Sequence, residues 1–124
     1  MKNKYACILS GLFLSIMLAA SVTNYIYVNK TFEIIDSEIE SIPTDLIEAS
    51  VELPTILELW EQRRKFLDLT LSKPELEKVS ELFEEAIIAS SQGNENDFKT
   101  AMAHLRRAIA DIRDLERISA ENIF

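Results

Sequence analysis

Residues Tyr5 to Val28 read YACILSGLFLSIMLAASVTNYIYV, a run of 24 residues without a charge. As a helix this run is about 36 Å long, whereas the hydrocarbon core of a bilayer is about 30 Å thick, so the run can span with some tilt. Tyr5 lies at one end and Tyr25 and Tyr27 lie at the other, where aromatic side chains favour the membrane interface. The run therefore predicts a single transmembrane helix.

A cleaved signal peptide is the alternative, because a basic start and an apolar core precede the small-residue sequence Ala19-Ala20-Ser21. The apolar character continues beyond that sequence to Val28, which favours an anchor that stays attached.

The cations that flank the run predict its orientation. Lys2 and Lys4 precede it, and Lys30 is the only cation that follows it before Arg63. The positive-inside rule then predicts a cytoplasmic N-terminus in the cell membrane and an extracytoplasmic C-terminal part.

One side of the predicted span carries small residues at every fourth position, with Gly11, Ser15 and Ala19 at its centre. Such a row lets two membrane helices approach closely, so it is a candidate site of homo-oligomerisation. Chance alignment of common small residues is the other interpretation.

The charge divides the chain into two parts. Residues 1–30 contain three lysines and no acidic residue, whereas residues 31–124 contain 21 acidic and 10 basic residues, a net charge of −11. We therefore expect a tip and membrane anchor over 1–30 and an acidic domain over 31–124.

Helical periodicity covers the whole acidic domain, and breaks fall only at Pro43, Pro54, Pro74 and Gly93. The apolar stripes follow Val28, Phe32, Ile35, Ile39 and Ile42; Leu46, Ile47 and Val51; Ile56, Leu57, Trp60, Leu67 and Leu71; Leu76, Val79, Phe83, Ala86 and Ile87; and Phe98, Ala101, Met102, Leu105, Ala108, Ile109, Ile112 and Leu115. No alternating strand pattern occurs. The prediction is an all-α fold, in which the transmembrane helix is followed by a small antiparallel helical bundle. The last two helices also resemble a tetratricopeptide hairpin, but no second repeat supports that alternative.

Local signals predict where the helices begin and end. We expect the helix that leaves the membrane to end at Ser41, a short helix capped by Thr44, and an interruption or a kink at Pro54 before a helix over about 55–71. We also expect a capping box over Ser72-Lys73-Pro74-Glu75, a left-handed Gly93, a cap at Asn94 or Asn96, and a bend at Ser119 and Asn122.

Little in the sequence points to chemistry. His104 is the one histidine and Cys7 the one cysteine, and no phosphate-binding loop, nucleophile motif or metal-ligand spacing occurs. We therefore expect no enzyme, no metal and no cofactor. The charge of −11 argues against nucleic-acid binding.

Two segments are candidates for partner contact. Thr31 to Glu61 contains nine acidic and no basic residues, which suits either a cationic partner or ordinary solvation. The following run WEQRRKF provides Trp60, Arg63 and Arg64, residue types that dominate protein interfaces. Because Trp60 lies on an apolar stripe, a place in the core is the alternative.

The chain resembles a family of uncharacterised short single-pass membrane proteins of spore-forming Firmicutes, catalogued as a domain of unknown function. The resemblance covers the whole chain and is carried by Leu59-Trp60-Glu61 with Arg63-Arg64-Lys65, by Pro74-Glu75-Leu76 and by the terminal SAENIF at 119–124. It implies a bacterial membrane location and no particular activity.

These observations predict a membrane-anchored extracytoplasmic module that acts by protein–protein contact. The alternative is a sensor, or a helical bundle that binds a cation or polycation.

Overall fold

The computed structural model describes residues 2–68 and 71–123, with side chains described for 3–68 and 71–118. This part of the chain contains four α-helices and no strand, which confirms the predicted all-α class. The helices are α1 Lys2–Glu40, α2 Leu46–Leu67, α3 Lys73–Ser91 and α4 Glu95–Ile123. The chain divides into two compact units, Met1–Lys30 and Thr31–Phe124.

The first unit is helical throughout its described length. The stretch Asn3–Glu40 of α1 is long and apolar enough to cross a membrane, and its most apolar part is not buried in protein. Large apolar side chains such as Leu9, Phe13 and Leu14 are more than half exposed there.

The second unit is a helical bundle whose neighbouring helices run antiparallel. α3 packs against both α2 and α4. The last turns of α1 reach α2 through Phe32 and Trp60, whose ring centroids are 6.1 Å apart, and reach α4 through an ion pair between Asp36 and Arg113. Each helix therefore contacts two others around one core.

Four helical segments contribute to this core at helical spacing. The buried apolar side chains are Phe32, Ile35 and Ile39 from α1; Ala49, Leu53, Ile56, Trp60 and Leu67 from α2; Leu76, Val79, Leu82, Phe83, Ala86 and Ala89 from α3; and Phe98, Ala101, Met102, Leu105, Ile109 and Ile112 from α4. Most of the stripes predicted for α1, α3 and α4 are confirmed.

The predicted interruption at Pro54 is wrong, because α2 continues through it. A proline removes one amide donor and crowds the preceding turn, which costs about 3 kcal/mol in a helix interior. The continuous helix buries side chains on both sides of Pro54, from Ala49 to Leu67, and this packing offsets the cost. The alternative of a kink at Pro54 stays a prediction. The helix ends at Leu67, four residues before the predicted end at Leu71.

The start of α2 differs from the prediction by one residue. Asp45, not Thr44, is the N-cap, and its carboxylate accepts a hydrogen bond from the Ile47 amide at 2.9 Å.

At the start of α3, Ser72 occupies the N-cap position and Pro74 lies in the first turn, but the Ser72 side chain makes no capping hydrogen bond. The predicted capping box is therefore absent.

The connection between α3 and α4 matches the prediction. Gly93 has a φ of +70°, its amide donates to Ser90, and the Asn94 amide donates to Ala89 at 2.9 Å. This pattern is the Schellman motif, which favours glycine because a side chain is strained at positive φ. The Asn94 side chain then accepts from the Asp97 amide and caps α4.

α4 is longer and its apolar stripe shorter than predicted. The helix continues to Ile123 through Ser119 and Asn122, where we predicted a bend. Serine and asparagine each cost less than about 1 kcal/mol in a helix and do not stop it without glycine or proline. Leu115, predicted to be buried, is 59% exposed. Phe124 lies outside the described residues.

Candidate interaction surface

The second half of α2 carries a buried polar network around Ser80 of α3. The Ser80 hydroxyl accepts hydrogen bonds from the Trp60 indole nitrogen at 3.0 Å and from Arg64 Nη1 at 2.9 Å. It donates to Glu61 Oε1 at 2.6 Å. Trp60 is fully buried, so its one donor is satisfied where water does not reach.

Arg64 adds ion pairs to the same network. Its side chain is only 15% exposed and lies 3.4 Å from Glu61, 3.5 Å from Glu77 and 3.9 Å from Asp68. A guanidinium group with several carboxylate neighbours suits a partly buried position, because it presents five donors in a fixed geometry. The network therefore ties α2 to α3.

Arg63 makes the corresponding contact to the other neighbour of α2. Its Nη1 atom donates to the hydroxyl of the fully buried Thr31 at 3.1 Å. Of the three predicted contact residues, Trp60 and Arg64 therefore meet at Ser80 of α3, whereas Arg63 contacts α1; Trp60 is buried and both arginines are partly buried. The full burial of Trp60 fits its alternative place in the core. Partner contact through Arg63 and Arg64 stays a prediction.

Three of the nine carboxylates between Thr31 and Glu61 stabilise the fold. Asp36 pairs with Arg113 of α4, Asp45 caps α2, and Glu61 belongs to the Ser80 network. These groups have defined partners and are not available as a free charged surface.

The other six carboxylates are exposed, and within the described residues none of them makes an ion pair or a side-chain hydrogen bond. They are Glu33, Glu38, Glu40, Glu48, Glu52 and Glu58. The stretch itself contains no basic residue, and Arg63 and Arg64, which follow it, contact Thr31 and Ser80. The last turns of α1 and the first half of α2 therefore carry a concentrated negative charge.

An apolar row lies among these carboxylates. Ile47 is 76% exposed and Val51 is 70% exposed, and the exposed Pro54 continues the row. Their spacing of four and three residues places them on one side of α2. Among the described residues of the second unit, these two are the most exposed large apolar side chains.

The carboxylates lie beside this row in a regular way. Glu48 follows Ile47 and Glu52 follows Val51, so each carboxylate is turned by about 100° around the helix axis from its apolar neighbour. Thr55 and Leu59 lie about two turns after Glu48 and Glu52, on the same side of α2 as these carboxylates, and line a groove with Glu38 of α1. We define the acidic face by the apolar row and the carboxylates around it: Ile47, Val51 and Pro54 with Glu38, Glu48, Glu52 and Glu58.

The residues predicted to act in the membrane lie on α1. Tyr5 is 68% exposed, and Tyr25 and Tyr27 are partly exposed. Gly11, Ser15 and Ala19 are exposed, and the Ser15 hydroxyl donates to the Gly11 carbonyl at 2.9 Å. That bond satisfies the hydroxyl within the helix, and the homo-oligomer through this row stays a prediction.

His104 lies exposed on α4, at a groove with Ile88 and Gln92 of α3. Among the described residues, no group of three or more His, Cys, Asp or Glu side chains is placed to hold a metal ion.

On α4, partial burial raises the pKa of Glu116 above its ordinary value, because desolvation disfavours the charged carboxylate.

Sequence reasoning missed the exposure of Ile47 and Val51, which it assigned to an apolar stripe. The signal was present in a second row on the same helix, Ala49, Leu53, Ile56 and Trp60, which the structure buries. A single helix can bury only one of two such rows.

Comparisons of the chain with protein-family models, with curated proteins and with solved structures gave no match. The resemblance to the family of short Firmicutes membrane proteins therefore stays a prediction.

Proposed function

We propose that this chain is a single-pass membrane protein that displays its helical bundle outside the cytoplasm and acts by binding another protein. The exposed pair Ile47 and Val51, set among carboxylates that make no ion pair within the described residues, is the observation that carries this proposal. A well-packed bundle gains nothing in stability from such a pair, whereas an interface gains apolar area that is removed from water.

The membrane part of the proposal is supported by the length and apolar composition of α1. The excess of lysines before the span supports a cytoplasmic N-terminus. The resemblance to the Firmicutes family supports a bacterial cell membrane.

Orientation is tested with a single reporter cysteine. Cys7 is the one native cysteine, so a Cys7→Ser, Ser91→Cys variant carries one thiol at an exposed position in the bundle. We expect a membrane-impermeant maleimide to label this variant in intact cells. Labelling only after lysis would place the bundle in the cytoplasm. N-terminal sequencing of the mature chain completes the test, since a start near Val22 would show a cleaved signal peptide.

Protein contact is tested by site-specific photo-crosslinking in living cells. We expect benzoylphenylalanine at position 47 to crosslink to one protein that mass spectrometry identifies. The matched control is position 88, where the native isoleucine of α3 is also more than half exposed. No crosslink at position 47, or the same product at both positions, would contradict the proposal.

The second candidate function is the binding of a cation or polycation by the same carboxylates. The six exposed carboxylates that make no ion pair in the described part of the chain favour it. It predicts a rise in Tm when a divalent cation or a polyamine is added to the full chain, and loss of that rise in a Glu48→Gln, Glu52→Gln variant. An unchanged Tm would leave protein contact as the function.

A further inference from the structure

We propose that the acidic face binds a cationic amphipathic helix of a partner protein. This inference rests on the proposed function, and it adds the chemistry of the partner. The partner helix places an apolar edge on Ile47 and Val51 and directs lysine or arginine side chains toward the carboxylates beside them.

Charge selects among the possible occupants of this surface. A second copy of the same face, an anionic lipid surface and a nucleic acid are all negative, and each is repelled by Glu48, Glu52 and Glu58. A free metal ion is attracted but leaves Ile47 and Val51 in water. A cationic protein segment is the occupant that both neutralises the carboxylates and covers the apolar pair.

The spacing of the row selects a helix. Ile47, Val51 and Pro54 lie along two turns of α2, about 10 Å, which matches apolar side chains at three- and four-residue spacing on a partner helix. Thr55, which follows Pro54 in the chain, lines a groove with Leu59, Glu58 and Glu38. Cationic side chains on one flank of the partner helix then face Glu48, Glu52 and Glu38 together.

The apolar and charged parts have separate tasks in this proposal. Covering an isoleucine and a valine supplies the affinity, because transfer of apolar surface from water is the dominant favourable contribution to association. The carboxylates accelerate the encounter and reject anionic partners. Binding is therefore expected to weaken with added salt, without disappearing.

The test uses the full chain in phosphatidylcholine nanodiscs and a fluorescent helical peptide of about 18 leucine and lysine residues with leucine on one side. Anisotropy gives the Kd, with empty nanodiscs as the blank. We expect Ile47→Ser with Val51→Ser to weaken binding about tenfold and Glu48→Gln with Glu52→Gln about fivefold. A leucine and glutamate peptide of the same pattern is expected not to bind.

The matched control is Glu81→Gln with Glu85→Gln on α3, which removes two exposed carboxylates at the same four-residue spacing. We expect this control to keep the wild-type Kd within about twofold. Equal weakening by the control pair, an unchanged Kd for the Ile47 and Val51 variant, or equal binding of the glutamate peptide would overturn the proposal.

The crosslink at position 47 separates this inference from the proposed function. A crosslinked partner together with absent peptide binding would refute the cationic helix and keep protein contact. Failure of both would refute protein contact at this face as well.

Discussion

The two halves of α2 have opposite roles. The first half, from Leu46 to Pro54, presents Ile47 and Val51 to solvent beside Glu48 and Glu52, which make no ion pair with any residue that the structure describes. The second half, from Thr55 to Leu67, directs Trp60, Arg63 and Arg64 into contacts with α1 and α3. One helix therefore provides both the main internal network of the bundle and its most exposed apolar surface.

This difference shows that residue type alone does not identify an interface. Tryptophan and arginine are the residue types most enriched at binding hot spots, yet here both are used inside the domain. The exposed surface is made of isoleucine, valine and glutamate, an ordinary composition for an amphipathic helix. The difference between the halves can be tested by changing one half at a time.

The largest expected effect is the loss of the central aromatic side chain. Trp60→Ala leaves a large cavity and removes the hydrogen bond to Ser80, and we expect it to lower the free energy of unfolding by about 3–5 kcal/mol. Urea unfolding of the full chain, followed by far-UV circular dichroism, measures the change. A loss below about 1 kcal/mol would show that the second half of α2 does not hold the bundle together.

The next effect is the loss of the polar centre of the network. Ser80→Ala removes the acceptor for Trp60 and Arg64 without creating a large cavity, and we expect a loss of about 1–3 kcal/mol because a buried donor is left unsatisfied. The same urea titration measures it. Ser91→Ala on the same helix, at an exposed position, is the control and should leave the midpoint unchanged.

A much smaller effect is expected from the first half of α2. Ile47→Ser with Val51→Ser changes two exposed side chains outside the core, so we expect the free energy of unfolding to change by less than about 0.5 kcal/mol for each substitution. Thermal unfolding of the variant beside the wild type checks this. A large loss would mean that these side chains pack within the chain, and the two halves would no longer differ.

The smallest effect concerns a half-buried carboxylate outside α2. Burial raises the pKa of Glu116, so the folded state holds this proton more tightly than the unfolded state. Its contribution to stability is then present at low pH and is lost as the pH rises through the folded-state pKa. We expect Glu116→Gln to raise the urea midpoint at pH 7 and to have no effect below about pH 4.

The control for that experiment is Glu52→Gln in the acidic face. Because Glu52 is exposed and makes no ion pair within the described residues, we expect its removal to change the urea midpoint only slightly. An equal pH dependence in the two variants would contradict the role given to burial.

Much of the fold follows from the sequence. Apolar periodicity locates α3 and α4, and Gly93 and Asn94 locate the junction between them, because a left-handed residue and a capping side chain have strong local preferences. The ends of the helices follow less well. At Pro54 the packing of the helix against its neighbours offsets the cost of a proline in the helix interior. A prediction from local sequence includes that cost but not the packing.

That one mistake explains why the exposed surface was missed. The buried row of α2 begins at Ala49 and Leu53 and continues beyond Pro54 through Ile56 and Trp60 to Leu67. If the helix is divided at Pro54, the position of Trp60 no longer determines which side of the first half is buried. Ile47 and Val51 are then assigned to the buried side. Only the continuous helix shows that these two side chains point away from the core.

The ion pair between Asp36 and Arg113 joins residues 77 positions apart in the chain. Synthesis proceeds from the N-terminus, so the last turns of α1 are made before the other helices of the bundle, and their partner α4 is made after α2 and α3. Phe32, Ile35 and Ile39 therefore stay without their full packing until α4 has been made. The last turns of α1 are therefore the first part of the bundle to be made and among the last to reach their full packing.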